Sequence, residues 1–118
     1  MIPREIRDYA QAMNRGDFFL AHEILEEPWK TPGDRLYRDD GIRALIFVAA
    51  SALHASRGNP RGAISTAAKA LLRLEPGPGD VHGILVTPLL PLLREAARSG
   101  TFPCFQVEVS GEERGGGL

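Results

Sequence analysis

The chain has 118 residues, a formal net charge of -1, 43% hydrophobic and 25% charged residues, and a single Cys. That is ordinary usage for one globular domain, and one Cys excludes both an intramolecular disulfide and a multi-Cys zinc site. The balance of 14 basic against 15 acidic residues gives no reason to expect a nucleic-acid partner. No uncharged run exceeds the one that starts at Ala44 and ends before Arg57, which is too short to span a membrane, so no membrane partner is expected. The opening Met1-Ile2-Pro3-Arg4-Glu5 lacks the basic-then-apolar shape of a signal peptide, and a cytoplasmic location is expected.

The dominant period is helical. Ile6, Tyr9, Ala10 and Met13 share one helix face, with Pro3 suited to the first turn and Gly16 to the stop. The first helix is therefore placed over Pro3 to Arg15. Asp17 can cap a second, from Phe18 to Trp29, which Pro28 would kink or end. Thr31-Pro32-Gly33-Asp34 reads as a loop. A third helix is placed over Arg35 to Arg57, with Gly41 inside it as a mark of close packing or a break. Its run Ala44 to Leu53 is apolar on most sides, which puts it at the centre of the fold. Asn59 and Pro60 are a cap and first-turn pair for a fourth helix ending near Leu74, with Ile64, Ala67, Ala68, Leu71 and Leu72 as its apolar positions. A loop rich in Pro and Gly follows. Thr87-Pro88 opens a fifth helix that ends before Gly100. The segment Phe105 to Val109 alternates like a strand but has no evident partner in a helical chain. An all-α single domain of about five helices is expected, with a helical core over residues 1–103 and an extended or flexible tail over 104–118. An unpaired apolar edge is a liability, so self-association into a homo-oligomer is expected to cover it.

The second helix carries His22-Glu23-Ile24-Leu25-Glu26-Glu27-Pro28-Trp29. At about 100° per residue Phe18, His22, Leu25 and Trp29 form one stripe, with Glu26 at its margin. On the third helix Arg43, Phe47, Ala50, His54 and Arg57 align in the same way. If the stripes face each other, His22, Glu26 and His54 converge as a ligand set for zinc, iron or manganese. Glu23 is then the candidate general base, since a metal lowers the pKa of bound water and a carboxylate can take the proton. The alternative is a self-satisfied polar network, in which His22 pairs with Glu26, and Arg43 or Arg57 pairs with Glu26 or Glu23. Trp29 is read as a packing residue beside this cluster and Asn59 as a cap. His82 reads as a solvent-exposed loop side chain. Arg57 and Arg61, flanking the start of the fourth helix, could hold an anion. Cys104 has no His beside it to activate it.

The stretch Phe18 to Trp29, followed by Ala49-Ala50-Ser51-Ala52-Leu53-His54 and Arg57-Gly58-Asn59-Pro60-Arg61-Gly62-Ala63, resembles a small bacterial and archaeal helical family, domain of unknown function 309. The likeness covers roughly Ile6 to Leu74. It implies an all-helical bundle. That family is often labelled a predicted metal-dependent hydrolase on the strength of the same His and Glu residues. His22, Glu23, Glu26, Trp29, His54 and Arg57 match its signature positions, while Phe47 stands where similar sequences often have Gln. Two functions are therefore carried forward. One is a hydrolase using a divalent metal on His22, Glu26 and His54 with Glu23 as base. The other is a non-enzymatic small-molecule-binding or protein-interaction module whose polar cluster fixes helix packing.

Overall fold

A computed structural model describes residues 2–110. It contains five helices: α1 (Arg4–Asn14), α2 (Phe18–Trp29), α3 (Asp40–Ser56), α4 (Pro60–Leu74) and α5 (Leu89–Ser99). Between α4 and α5 lies a two-stranded antiparallel hairpin, β1 (Asp80–Val81) and β2 (Ile84–Leu85). The fold is mostly α, as the periodicity implies. No helix among the described residues is long and apolar enough to cross a membrane.

α3 is the central element. It packs against α2 on one side and α4 on the other, while α1 covers α2 and α5 covers α4. Its buried residues Ile42, Leu45, Ile46, Val48, Ala49 and Ala52 lie all round the helix, which is why its sequence shows so little amphipathicity. Ser51 is fully buried, and its hydroxyl donates to the carbonyl of Ala63 at 2.8 Å. The facing positions on α4 are Ala63, Ala67 and Ala70, so the two helices meet on small side chains. This corrects the expected apolar face of α4: Ile64 and Leu72 are exposed, Leu72 by 75%, and Ala68 is exposed as well. Small residues win the interface because they let the backbones approach; larger aliphatics would hold α4 off Ser51. Tyr9 ties α1 to α3, its buried hydroxyl donating to the carbonyl of Leu45 at 2.8 Å. Burial pushes that phenol well above its ordinary pKa, so it stays a neutral donor.

α3 begins at Asp40, not at Arg35. Three local devices stop the helix extending backwards. Asp34 accepts from the N–H of Leu36, Arg38 has a positive φ of 55°, and Asp39 caps α3 by accepting from the N–H of Ile42 at 3.0 Å. Gly41 thus lies in the first turn. It marks close packing: a Cβ there would lie 2.9 Å from a methyl of Val81.

The hairpin was not anticipated. Its turn is His82-Gly83, with φ of 49° and 103°, the two positive values that a two-residue hairpin loop of this hand requires. This hairpin is the partner that the tail seemed to lack. Ile84 bridges Val109, Leu85 donates its N–H to Glu108, and Ser110 donates to Gly83. Asn14 also fixes the tail, donating to the carbonyl of Val107 at 3.1 Å and accepting from its N–H at 2.6 Å. Phe105 stacks on Phe18 at 6.3 Å. An in-chain partner removes the premise on which self-association was expected. The part of the expected tail beyond Ser110 lies outside the described residues. Asn14→Ala removes two hydrogen bonds and should cost about 1–3 kcal/mol. Amide exchange should accelerate at Val107 and Leu85 far more than in α3. Uniform acceleration across the chain would contradict this local docking.

Candidate functional site

α2 has the limits its sequence suggests, with Asp17 accepting from the N–H of Leu20 and the chain leaving the helix after Trp29. Ala21, Leu25 and Pro28 are buried, which fixes the roll of the helix on α3. His22, Glu23 and Glu26 then fall at the edge of the contact, half-buried rather than enclosed. The His22 imidazole Nδ1 lies 3.4 Å from a Glu23 oxygen and 3.8 Å from a Glu26 oxygen. One ligand atom from each of the three residues can be chosen so that all lie within 4.8 Å of one another. Among the described residues no other group of three His, Cys, Asp or Glu side chains meets that condition.

His54 does not join this group. It lies near the C-terminal end of α3, one turn beyond Ala50, and its Nδ1 is 3.1 Å from the side-chain nitrogen of Asn59. Asn59 uses its oxygen to cap α4, accepting from the N–H of Gly62 at 3.1 Å. Its amide nitrogen must therefore donate to His54, so Nδ1 of that imidazole is the acceptor and the ring proton sits on Nε2. Gly62 completes this turn, since a Cβ there would lie 2.7 Å from the ring of His54. Among the described residues no carboxylate pairs with His54. Asn59 is a cap, as its sequence position suggests, and also the hydrogen-bonding partner of that imidazole.

Beside His22 and Glu26 opens a cleft of about 170 Å³ between α2 and α3. Trp29 continues the α2 wall, Arg43, Phe47 and Ala50 form the α3 wall, and Thr66 of α4 closes one end. The aligned stripes of α2 and α3 therefore do face each other over the first three of the five α3 positions: Arg43, Phe47 and Ala50 line the cleft, whereas His54 and Arg57 do not. Arg57 is exposed at the C-cap of α3. Neither arginine forms an ion pair with Glu23 or Glu26, contrary to the network reading. Arg43 instead places its guanidinium 4.8 Å from the ring centre of Trp29 and 5.2 Å from that of Phe47. The reason is geometric: two aromatic faces flank the guanidinium and hold it by cation–π attraction. The Nε of Arg43 and the Nε1 of Trp29 are buried with no acceptor. Such buried donors cost about 1–3 kcal/mol each, an expense that proteins concentrate at functional places.

Three basic residues around this wall escaped the sequence reading. Arg38 lies 5.0 Å from the Trp29 ring, and Lys69 and Arg73 lie 5.6 Å and 5.1 Å from that of Phe47. The available signal was the spacing of Lys69 and Arg73, one turn apart on α4. Elsewhere, His82 is exposed in its loop, as its position suggests, and its Nε2 lies 2.9 Å from Asp39. Cys104 is exposed.

An uncharacterized protein from Aquifex aeolicus (strain VF5) is 30% identical over 115 residues, a match covering 92% of this chain. The match covers 33% of the relative, so the chain spans about a third of that protein's length. The model of the family described as a domain of unknown function (DUF309) matches residues 6–66, the stretch that runs from α1 through the cleft walls to Thr66. The chain belongs to that family.

Proposed function

We propose that this chain is a metal-dependent hydrolase in which His22, Glu23 and Glu26 hold a divalent cation at the mouth of the α2–α3 cleft. The observation that carries the reading is the convergence of one imidazole nitrogen and two carboxylate oxygens within 4.8 Å. One nitrogen and two oxygen donors suit zinc, iron or manganese and leave positions for water. When bound, such an ion lowers the pKa of a coordinated water towards neutrality. Glu23 has the more exposed of the two carboxylates, at 44% against 35% for Glu26. It serves as the base: one oxygen faces His22 and the other is left to accept a proton from water. Glu26 sits one helical turn from His22 and holds the imidazole in register. His54 has no part in this set, because its Nδ1 is engaged by Asn59.

A second reading has its own support. The His22 imidazole lies 3.4 and 3.8 Å from the two carboxylates, close enough for them to pair with it directly, so the same group can serve a non-enzymatic small-molecule-binding module. Metal analysis of tag-free protein, with melting in zinc or manganese against EDTA, separates the two. The hydrolase reading expects stoichiometric metal. It also expects a stabilisation of about 2.7 kcal/mol at a hundredfold excess over Kd. Both should be lost in Glu26→Gln. Protein that takes up no metal and melts identically in all conditions leaves only the binding module.

A further inference from the structure

We propose that the cleft between α2 and α3 binds the anionic group, phosphoryl or carboxylate, of a small molecule, with Arg43 as its principal contact and Lys69 as a second positive charge. The inference rests on the hydrolase reading only in making that molecule the substrate.

Arg43 carries the argument. Its guanidinium has no hydrogen-bond acceptor and no carboxylate partner among the described residues. Trp29 and Phe47 flank it at 4.8 and 5.2 Å. Aromatic faces hold a guanidinium without using its in-plane N–H groups. Nε is buried, but the terminal nitrogens are not, so the forked end that matches two oxygens of an anion remains open.

The surroundings have the same sign. Arg38 lies over the Trp29 ring, and Lys69 and Arg73 lie over Phe47. Among the described residues, Arg73 alone of the four cations has a carboxylate partner, Asp40 at 3.2 Å. Three unpaired basic groups around two rings are a local excess in a chain whose net charge is -1. The opposing charge is Glu26, which lines the cleft on the His22 side. A cation held by Glu26 would carry the charge opposite to that of the bound anion in the same cleft, so the two ligands should assist each other. The Thr66 hydroxyl is already donating to the carbonyl of Gly62. The donors still available include the Arg43 guanidinium and the indole N–H of Trp29, and the positive charge of the guanidinium selects an anionic acceptor. At about 170 Å³ the cleft is smaller than the ~300 Å³ at the lower end of drug-sized pockets, so it takes one group and leaves the rest of the molecule outside.

Trp29 is the sole tryptophan, so intrinsic fluorescence reports on this cleft directly. Sodium phosphate and sodium acetate are titrated separately in EDTA, each against potassium chloride at matched ionic strength. A saturable change with either anion is expected: phosphate alone assigns a phosphoryl group, acetate alone a carboxylate, and both a general oxyanion site. Arg43→Gln should weaken the midpoint about tenfold or more and Lys69→Gln about threefold, while Arg98→Gln on α5 leaves it unchanged. Should Arg43→Gln fail to fold by circular dichroism, the exposed Lys69→Gln decides. Responses that never saturate, or midpoints unmoved by Arg43→Gln and Lys69→Gln, overturn the proposal. Because EDTA removes metal, failure here leaves the metal experiment standing, and failure there leaves this one standing.

Discussion

Gly62→Ala is expected to lower stability by about 2–4 kcal/mol, the reverse of what the same change does in an ordinary helix. Within a helix, alanine normally gains about 0.5–1 kcal/mol over glycine because the unfolded chain loses less entropy. Here the added methyl would lie 2.7 Å from the Asn59 amide nitrogen, 2.7 Å from Cγ of His54 and 2.8 Å from its Nδ1. Both neighbours must move. Moving Asn59 endangers the α4 cap, worth about 1 kcal/mol, and moving His54 breaks its hydrogen bond. The methyl itself adds an overpacking cost of about 1–3 kcal/mol. Chemical denaturation measures the stability, and imidazole nitrogen shifts in NMR report whether His54 keeps its proton on Nε2. A more stable variant with an undisturbed imidazole would show that this turn has room to spare. Asn59→Asp is the companion change: a carboxylate still caps α4 but cannot donate to Nδ1, so the ring should change tautomer while the helix stays.

That turn shows how far a sequence can be read. Asn59-Pro60 announces the start of α4 because a cap and a first-turn proline act through the local backbone. Asp17 and Gly100 announce the start of α2 and the end of α5 for the same reason, with Asp17 accepting from Leu20 and Gly100 at a φ of 78°. The second job of Asn59, donating to His54 across the α3–α4 turn, depends on the angle at which two helices meet. No local rule supplies that angle. The grouping of His22 with Glu26 was legible from their spacing, because residues four apart share a helix face. Bringing in His54 required extending a stripe along all of α3, and α3 diverges from the cleft before reaching it. The basic wall was harder still. Lys69 and Arg73 reach Phe47 from a third helix, and their positions on α4 read as an ordinary solvated face.

The sheet was missed for a related reason. Two strands of two residues each carry too little alternation to register, and the tail alternates without displaying its partner. Only tertiary structure joins Val109 to Ile84 and Asn14 to Val107. Those tethers run from α1 through the tail to the hairpin. From there His82 and Val81 reach Asp39 and Gly41 at the head of α3. The start of α3 sets the position of Arg43 and Phe47, one and two turns farther along. The cleft is thus held in place partly by segments that the sequence presents as loop and tail.

Asp39 is where that chain of contacts meets α3, and its removal should be felt in both stability and pH dependence. One oxygen accepts from the Ile42 N–H at 3.0 Å, and the other meets Nε2 of His82 at 2.9 Å. Partial burial pushes the carboxyl upward in pKa. The His82 hydrogen bond, the Ile42 N–H, the positive charge that His82 can carry and the Gly41 N–H together outweigh it, so the group lies below its ordinary value. A folded pKa below the unfolded one means that the unfolded state binds the proton more readily. The contribution is complete above the unfolded value of about 3.9 and is lost as pH falls through the folded value. Asp39→Ala should cost about 1–3 kcal/mol at neutral pH, combining a lost cap with a lost hydrogen bond to a partly exposed partner. Asp39→Asn retains one acceptor and removes the titration, so it isolates the charge. The stability difference between the parent chain and Asp39→Asn should shrink as pH falls below about 4. Because the hairpin is tied through the same carboxylate, amide exchange at Val81 and Gly83 should quicken in Asp39→Ala. A difference that grows as pH falls below about 4 would give Asp39 the opposite sign and remove it as the link between the hairpin and α3.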